Sequence, residues 1–329
     1  MTDRSIIRAG LLYDGTGSAP REDRAIVLEG GHILCDLPAA RAPGVPVLAG
    51  AAIVTPGLID LQVNGGGGVL FNDVPTPATL DTIARAARRG GAAYCLPTFI
   101  TDHGTRYAEA IDAATAALDE RLPGVLGLHL EGPFMSRARP GIPAAEAVRD
   151  PGPDDIARLE AAARAMPLLV TLAPERCDAG IVGTLAGAGA RVFAGHSAAN
   201  AAQVAQAEAE GLAGVTHLFN AMSQIAPREP GLVGAALTSE RLFAGIIADG
   251  VHVHPANLAL ALRVLGPDRL FLVSDAMAPL GADLERFELL GKTIHRREGR
   301  LTDADGTLAG ADLSMAQAVV TAEKAGEST

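Results

Sequence analysis

Nowhere in the 329-residue sequence is there an uninterrupted apolar stretch of the ~18 residues that crossing a bilayer requires. The first ten residues carry Asp3, Arg4 and Arg8 and lack the apolar centre of a signal peptide, so a cytoplasmic location is expected. Basic charge is in short supply. The 27 Lys plus Arg face 38 Asp plus Glu, a net charge of −11, which disfavours nucleic acid and anionic membrane surfaces as partners. Cysteine is scarce as well: Cys35, Cys95 and Cys177 lie far apart with no CxxC spacing, so neither a disulfide framework nor a zinc ribbon is indicated. All three read as small buried apolar residues. What the chain does have is Ala and Gly in a 48% hydrophobic, 20% charged composition, enough to bury a large core and unlike a disordered chain.

From about residue 58 short β-like runs alternate with Ala-rich helical stretches, the rhythm of a parallel sheet covered by helices. Eight strands are expected, at 58–64, 93–99, 125–131, 168–173, 191–196, 214–217, 243–248 and 270–274, with helices among them at 79–89, 107–120, 153–165 and 200–210. Asp154 and Asn200 are the expected caps of the last two. Eight βα units predict a TIM (β/α)8 barrel; the doubly wound alternative lacks a GxGxxG after an early strand. Residues 1–55 read instead as a small β unit. The segment 285–311 has the same texture, with turn signals at Gly291, Gly299 and Asp305-Gly306, so the chain is expected to build the barrel over 56–284, return to the small domain, and end in a helical stretch over 312–329.

In such a barrel the reactive groups sit at the C-terminal ends of the strands, and polar residues concentrate there. Glu131, His196 and His217 fall at the ends of the third, fifth and sixth strands, a one-carboxylate, two-imidazole set of the kind that holds catalytic zinc. Taken singly, a strand-end histidine is more often a capped or hydrogen-bonded scaffold residue; the joint placement at the ends of three strands is what favours a metal. His129, two residues before Glu131 on the same strand face, reads as core. Asp275, ending strand eight, is the candidate general base or else a helix cap. Arg228, in a turn-rich loop after strand six, suits a phosphate or carboxylate, or else pairs with Glu229 or stands in solvent. Gly65 to Gly68 lack a following Lys-Ser/Thr and read as a flexible loop rather than a phosphate cradle.

Seven motifs occur in order over about residues 50–315: Pro56-Gly57-Leu58-Ile59-Asp60, His129-Leu130-Glu131-Gly132-Pro133, Gly195-His196-Ser197, Thr216-His217-Leu218-Phe219-Asn220-Ala221-Met222, Arg228-Glu229-Pro230-Gly231, Ala248-Asp249-Gly250-Val251-His252 and Ser274-Asp275-Ala276. Together they resemble the N-acetylglucosamine-6-phosphate deacetylase family of the amidohydrolase superfamily. The resemblance implies a barrel with a small β-sandwich built from N- and C-terminal segments, a homodimer, and hydrolysis of the acetamide of N-acetyl-D-glucosamine 6-phosphate to D-glucosamine 6-phosphate and acetate. It implies that Glu131, His196 and His217 hold the metal, that Asp275 activates water and protonates the amine, and that His252 contacts the sugar and polarises the carbonyl. The Asn220-Ala221 backbone and Arg228 would bind the phosphate end, Arg228 reaching the neighbouring subunit's site. Ile142 would contact the sugar through its backbone, and the Leu308-Ala309-Gly310 loop would line the pocket.

Two departures stand out. Where many amidohydrolases carry His-x-His at the end of strand one, this chain has Gln62-Val63-Asn64, which implies one divalent ion, zinc by preference with iron, cobalt or manganese as alternatives, rather than a bridged pair. The family also continues past the last barrel helix into closing strands, and these are expected to be absent from a chain ending at Thr329. Two rival functions follow: a relative acting on another N-acyl or cyclic amide, and an inactive sugar-phosphate-binding remnant.

Overall fold

Alternation of apolar and polar residues along the first 54 positions produces four strands, β1 (Arg4–Leu12), β2 (Arg21–Glu29), β3 (His32–Pro38) and β4 (Val47–Val54), in a sheet of order β3-β2-β1-β4. In the computed structural model, which describes residues 4–143 and 145–327, this sheet belongs to one compact unit ending at Gly57, and a second unit begins at Leu58. The first unit buries Ile6, Ala25 and Val27 in one cluster and Ala9, Leu12 and Ile26 in another. Cys35 corrects the expectation of three buried thiols. It lies on β3, an edge strand with little packed against it, and is exposed, whereas Cys95 is buried and Cys177 half-buried.

The second unit opens with β5 (Leu58–Val63), followed by a small hairpin, β6 (Gly65–Gly66) and β7 (Val69–Leu70). The hairpin replaces the flexible loop expected of the four glycines. Gly67 and Gly68 make its turn at φ +65° and +90°, and a Cβ on Gly65 would stand 2.5 Å from the Val69 carbonyl, so the glycines serve close packing. Then come α1 (Pro77–Arg89), β8 (Ala92–Ile100), α2 (Tyr107–Asp119), β9 (Leu128–Glu131), α3 (Pro153–Ala165), β10 (Leu168–Leu172), α4 (Ile181–Gly187), β11 (Arg191–Ala194), α5 (Ala201–Glu210), β12 (Gly214–Val215), α6 (Gly231–Thr238), β13 (Phe243–Ile247), α7 (Pro255–Arg269) and β14 (Leu270–Val273).

Strands β5 and β8 to β14 form one parallel eight-stranded sheet in chain order, the barrel expected. Its ends meet where Val63 bridges Ala276 and the Asp275 amide donates to the Gln62 carbonyl at 2.9 Å. Helix α1 starts at Thr76, whose hydroxyl accepts from the Thr79 amide, and turns Leu80 and Ile83 fully into the core. Asn200 caps α5 reciprocally with Gln203 as expected.

Asp154 is not the other cap. Helix α3 begins after Gly152, and it is Asp155, not Asp154, whose carboxylate accepts from the Gly152 amide. Burial opposes charge on Asp155, but Arg149 and the Tyr107 hydroxyl bond both its oxygens and hold the carboxyl down at about 2. Because the folded-state value lies below the ordinary ~3.9, this ionic contact stabilises the fold above pH ~4 and is lost as pH falls toward 2. Melting temperatures measured from pH 5 to pH 2 are therefore expected to fall less steeply in Asp155→Asn than in the parent chain.

After the barrel, β15 (Arg286–Leu289), β16 (Lys292–Arg297), β17 (Arg300–Thr302) and β18 (Leu308–Ala311) form a four-stranded antiparallel sheet, and α8 (Met315–Glu327) follows. Ala311 at the end of β18 bridges Ala276, tying this sheet to the barrel mouth. No helix among the described residues is long and apolar enough to cross a membrane.

Candidate metal centre and substrate cavity

Because all eight barrel strands run the same way, the residues just past their last ladder positions gather at one end. The ladder stops at Ala194 on β11 and Val215 on β12, which leaves His196 and His217 free to turn. Both adopt left-handed backbone, φ +47° and +35°, and Asp275 beyond β14 does the same at +49°. That conformation costs a residue with a side chain roughly 1–2 kcal/mol and is retained mainly where function needs the direction it gives.

The result is a tight triangle. Glu131 Oε1 lies 3.0 Å from His196 Nε2 and 2.9 Å from His217 Nε2, and the two ring nitrogens are 3.1 Å apart. Ligands held at about 2.0–2.1 Å on a tetrahedral zinc ion are separated by about 3.3 Å, close to these edges. Two imidazole nitrogens facing each other across a carboxylate oxygen also need a proton or a cation between them, so this donor set fits a metal ion. His196 Nδ1 donates to the Arg139 carbonyl at 3.0 Å, which leaves Nε2 as the ligating nitrogen. Burial works against charge on Glu131, yet the two imidazoles hold its carboxyl well below the ordinary range; on His217 burial is likewise outweighed, and hydrogen bonding and charge from Glu131 raise its pKa.

Asp275 sits beside the triangle. The Asn64 amide nitrogen donates to Asp275 Oδ1 at 2.6 Å, and the Gln62 amide nitrogen reaches both that atom and Glu131 Oε2 at 3.2 Å. Burial, then the charge of Glu131, pushes the Asp275 carboxyl up to about 6 against the pull of His217, His252 and Asn64. Neither glutamine nor asparagine was singled out by the motif reading as a site residue. Asp275, the partner they share, lies more than 200 positions away, and the barrel seam brings it to them. Asp249 is a third residue missed. Its Oδ2 accepts from His252 Nδ1 at 2.6 Å, so the His252 ring is fixed with Nε2 as the free nitrogen, and a carboxylate three residues before a histidine was the available signal. Deeper in the barrel, His129 is buried between the Thr98 and Thr171 hydroxyls at 3.0 and 2.8 Å, the core role expected.

Glu131, His196, His217, His252 and Asp275 open into a cavity of about 530 Å³, inside the range for small-molecule sites. Ile142, Asn220, Ala221, Leu308 and Gly310 line it. Ala309 does not line it and is buried instead in an apolar cluster with Ile100, Ile142 and Met277, which form part of the wall. Arg228 lies outside the cavity, in an exposed turn; the arginine among the residues lining it is Arg139.

No family model matches the sequence. An N-acetylgalactosamine-6-phosphate deacetylase of Shewanella sp. (strain ANA-3) is 42% identical over 266 residues, 80% of this chain and 66% of that protein. The N-acetylglucosamine-6-phosphate deacetylase of Haemophilus influenzae is 37% identical over 279 residues, 81% of this chain and 70% of its own length. The chain belongs to the N-acetylglucosamine-6-phosphate deacetylase family. A crystal structure of the Pasteurella multocida member superimposes with a TM-score of 0.89 at 33% identity, over 98% of this chain and 85% of that one. Membership accounts for the barrel, the antiparallel sheet and the order of the strand-end motifs alike. The matched stretch is just under two thirds of the Shewanella protein's length.

Proposed function

We propose that the chain hydrolyses the acetamide of N-acetyl-D-glucosamine 6-phosphate to D-glucosamine 6-phosphate and acetate, with one divalent ion, zinc by preference, held by Glu131, His196 and His217. The observation that carries the reading is the Glu131–His196–His217 triangle with Asp275 and His252 facing one cavity. Bound there, a divalent cation supplies Lewis acidity toward the amide carbonyl and the attacking water. Asp275 takes a proton from that water as its oxygen bonds to the carbonyl carbon, then delivers it to the nitrogen as the C–N bond breaks, leaving an amine and acetate. When its Nε2 also carries a proton, the His252 ring, held from behind by Asp249, donates that N–H to the carbonyl oxygen, where negative charge develops.

The phosphate carries two charges into a chain of net charge −11, so a local cation is needed. Arg139, the arginine among the cavity-lining residues, is assigned that role, beside Asn220 and Ala221, which line the same cavity. Arg228 is exposed and outside its own cavity, which supports the expectation that it serves a second copy in a homodimer. Relatives named for both the glucosamine and the galactosamine phosphate favour a phosphorylated 2-acetamido sugar over a cyclic amide.

Acetate release by the zinc-loaded chain tests this directly, with N-acetylglucosamine 6-phosphate, its galactosamine epimer and unphosphorylated N-acetylglucosamine as substrates. Release from the glucosamine phosphate, and little from the free sugar, is expected. Equal rates on the two glucosamine substrates would remove the phosphate subsite, and no release from any would remove the reaction.

A further inference from the structure

The segment 135–143, between β9 and α3, lines the cavity and also encloses the imidazole of His196. The Ser136 amide donates to the His196 carbonyl at 2.8 Å, and His196 Nδ1 donates to the Arg139 carbonyl at 3.0 Å. A further bond, Arg139 amide to Ser136 carbonyl at 2.9 Å, fixes the turn that aims that carbonyl. Gly141 then passes over the ring at φ +68°. A Cβ built on it would stand 2.9 Å from His196 Cε1 and 3.3 Å from Nδ1, closer than carbon atoms rest against a ring.

We propose that Gly141 is a positioning residue for the metal centre, its bare Cα letting the 136–141 turn hold His196 with Nε2 aimed at Glu131 and His217. The inference rests on the metal reading of that triangle. Cε1 lies between the two ring nitrogens, so the ring cannot yield there without moving both. A side chain at 141 therefore leaves two responses. Either the imidazole swings and Nε2 leaves the triangle, or the turn lifts and withdraws the Arg139 carbonyl from Nδ1. Each response loosens one ligand of three. Backbone strain at φ +68° accompanies any such substitution, so a control must share the strain without the ring. Gly180 does so, at φ +88° with nothing within 4 Å of a Cβ.

The test uses the full chain and the variants Gly141→Ala, Gly141→Asn and Gly180→Ala. Asparagine tolerates left-handed backbone better than alanine while placing the same Cβ, so it covers the case in which Gly141→Ala fails to fold. Zn²⁺ and Co²⁺ dissociation constants are measured by chelator competition, with the visible absorption of the Co²⁺ form and the melting temperature of the metal-free chain. The folded 141 variants are expected to bind metal 10- to 100-fold more weakly, the size of effect seen when outer support of a ligand is lost, with a changed Co²⁺ spectrum. Gly180→Ala is expected to keep the parent's affinity and spectrum. Parent-like affinity and spectrum in a folded 141 variant would overturn the positioning role alone, as would an equal loss in Gly180→Ala. A parent chain that binds neither ion would overturn the metal reading together with it.

Discussion

Asp275→Asn is expected to retain metal and sugar-phosphate binding while kcat falls by about 10²- to 10⁴-fold, the usual contribution of a positioned proton acceptor. The exchange is nearly isosteric, and an amide oxygen at Oδ1 still accepts from Asn64 and Gln62, so the surrounding contacts survive. What disappears is the capacity to take a proton. Steady-state kinetics separate this role from a structural one, since a group acting on the chemical step lowers kcat and leaves KM nearly unchanged, while a collapsed pocket raises KM. Turnover within a few-fold of the parent would end the general-base assignment.

His217→Ala is expected to have the second large effect, and on two readouts. Metal analysis after dialysis should show about one divalent ion per parent chain and almost none in the variant, since two ligands remain of three. The metal-free variant should also be less stable by about 3–5 kcal/mol in urea unfolding, because Glu131 would keep its buried charge with one partner fewer. Retention of stoichiometric metal after dialysis would remove His217 from the ligand set.

The parts of the fold legible in the sequence are those written in local pattern. A parallel strand covered by helices is buried on both faces, so it appears as a short continuous apolar run, and the eight expected runs lie on the eight barrel strands with ends shifted by a few residues. The ends shift because polar residues such as His196 and Ser274 follow the ladder directly and look like part of it. Other features depend on partners distant in the chain. Gln62 reads as a missing histidine, and its hydrogen bond to Asp275 exists only once β5 closes against β14, while that to Glu131 needs β9 brought up beside β8. Arg139 carries no local signal, being one arginine in an irregular stretch, yet that stretch folds over the cavity. Arg228 shows the converse, a motif residue whose own chain offers it no place in the site.

The left-handed backbone at His196, His217 and Asp275 has a consequence for any laboratory evolution of this enzyme. Glycine at each position would relax the turn, and at 275 it would also free the chain of a buried carboxylate. A selection that rewards heat resistance without assaying turnover would thus draw substitutions to position 275 among the first and return robust, inert proteins, whereas at 196 and 217 the relief of the turn is outweighed by the partner taken from buried Glu131. Screens on this barrel need to score acetate release in every round.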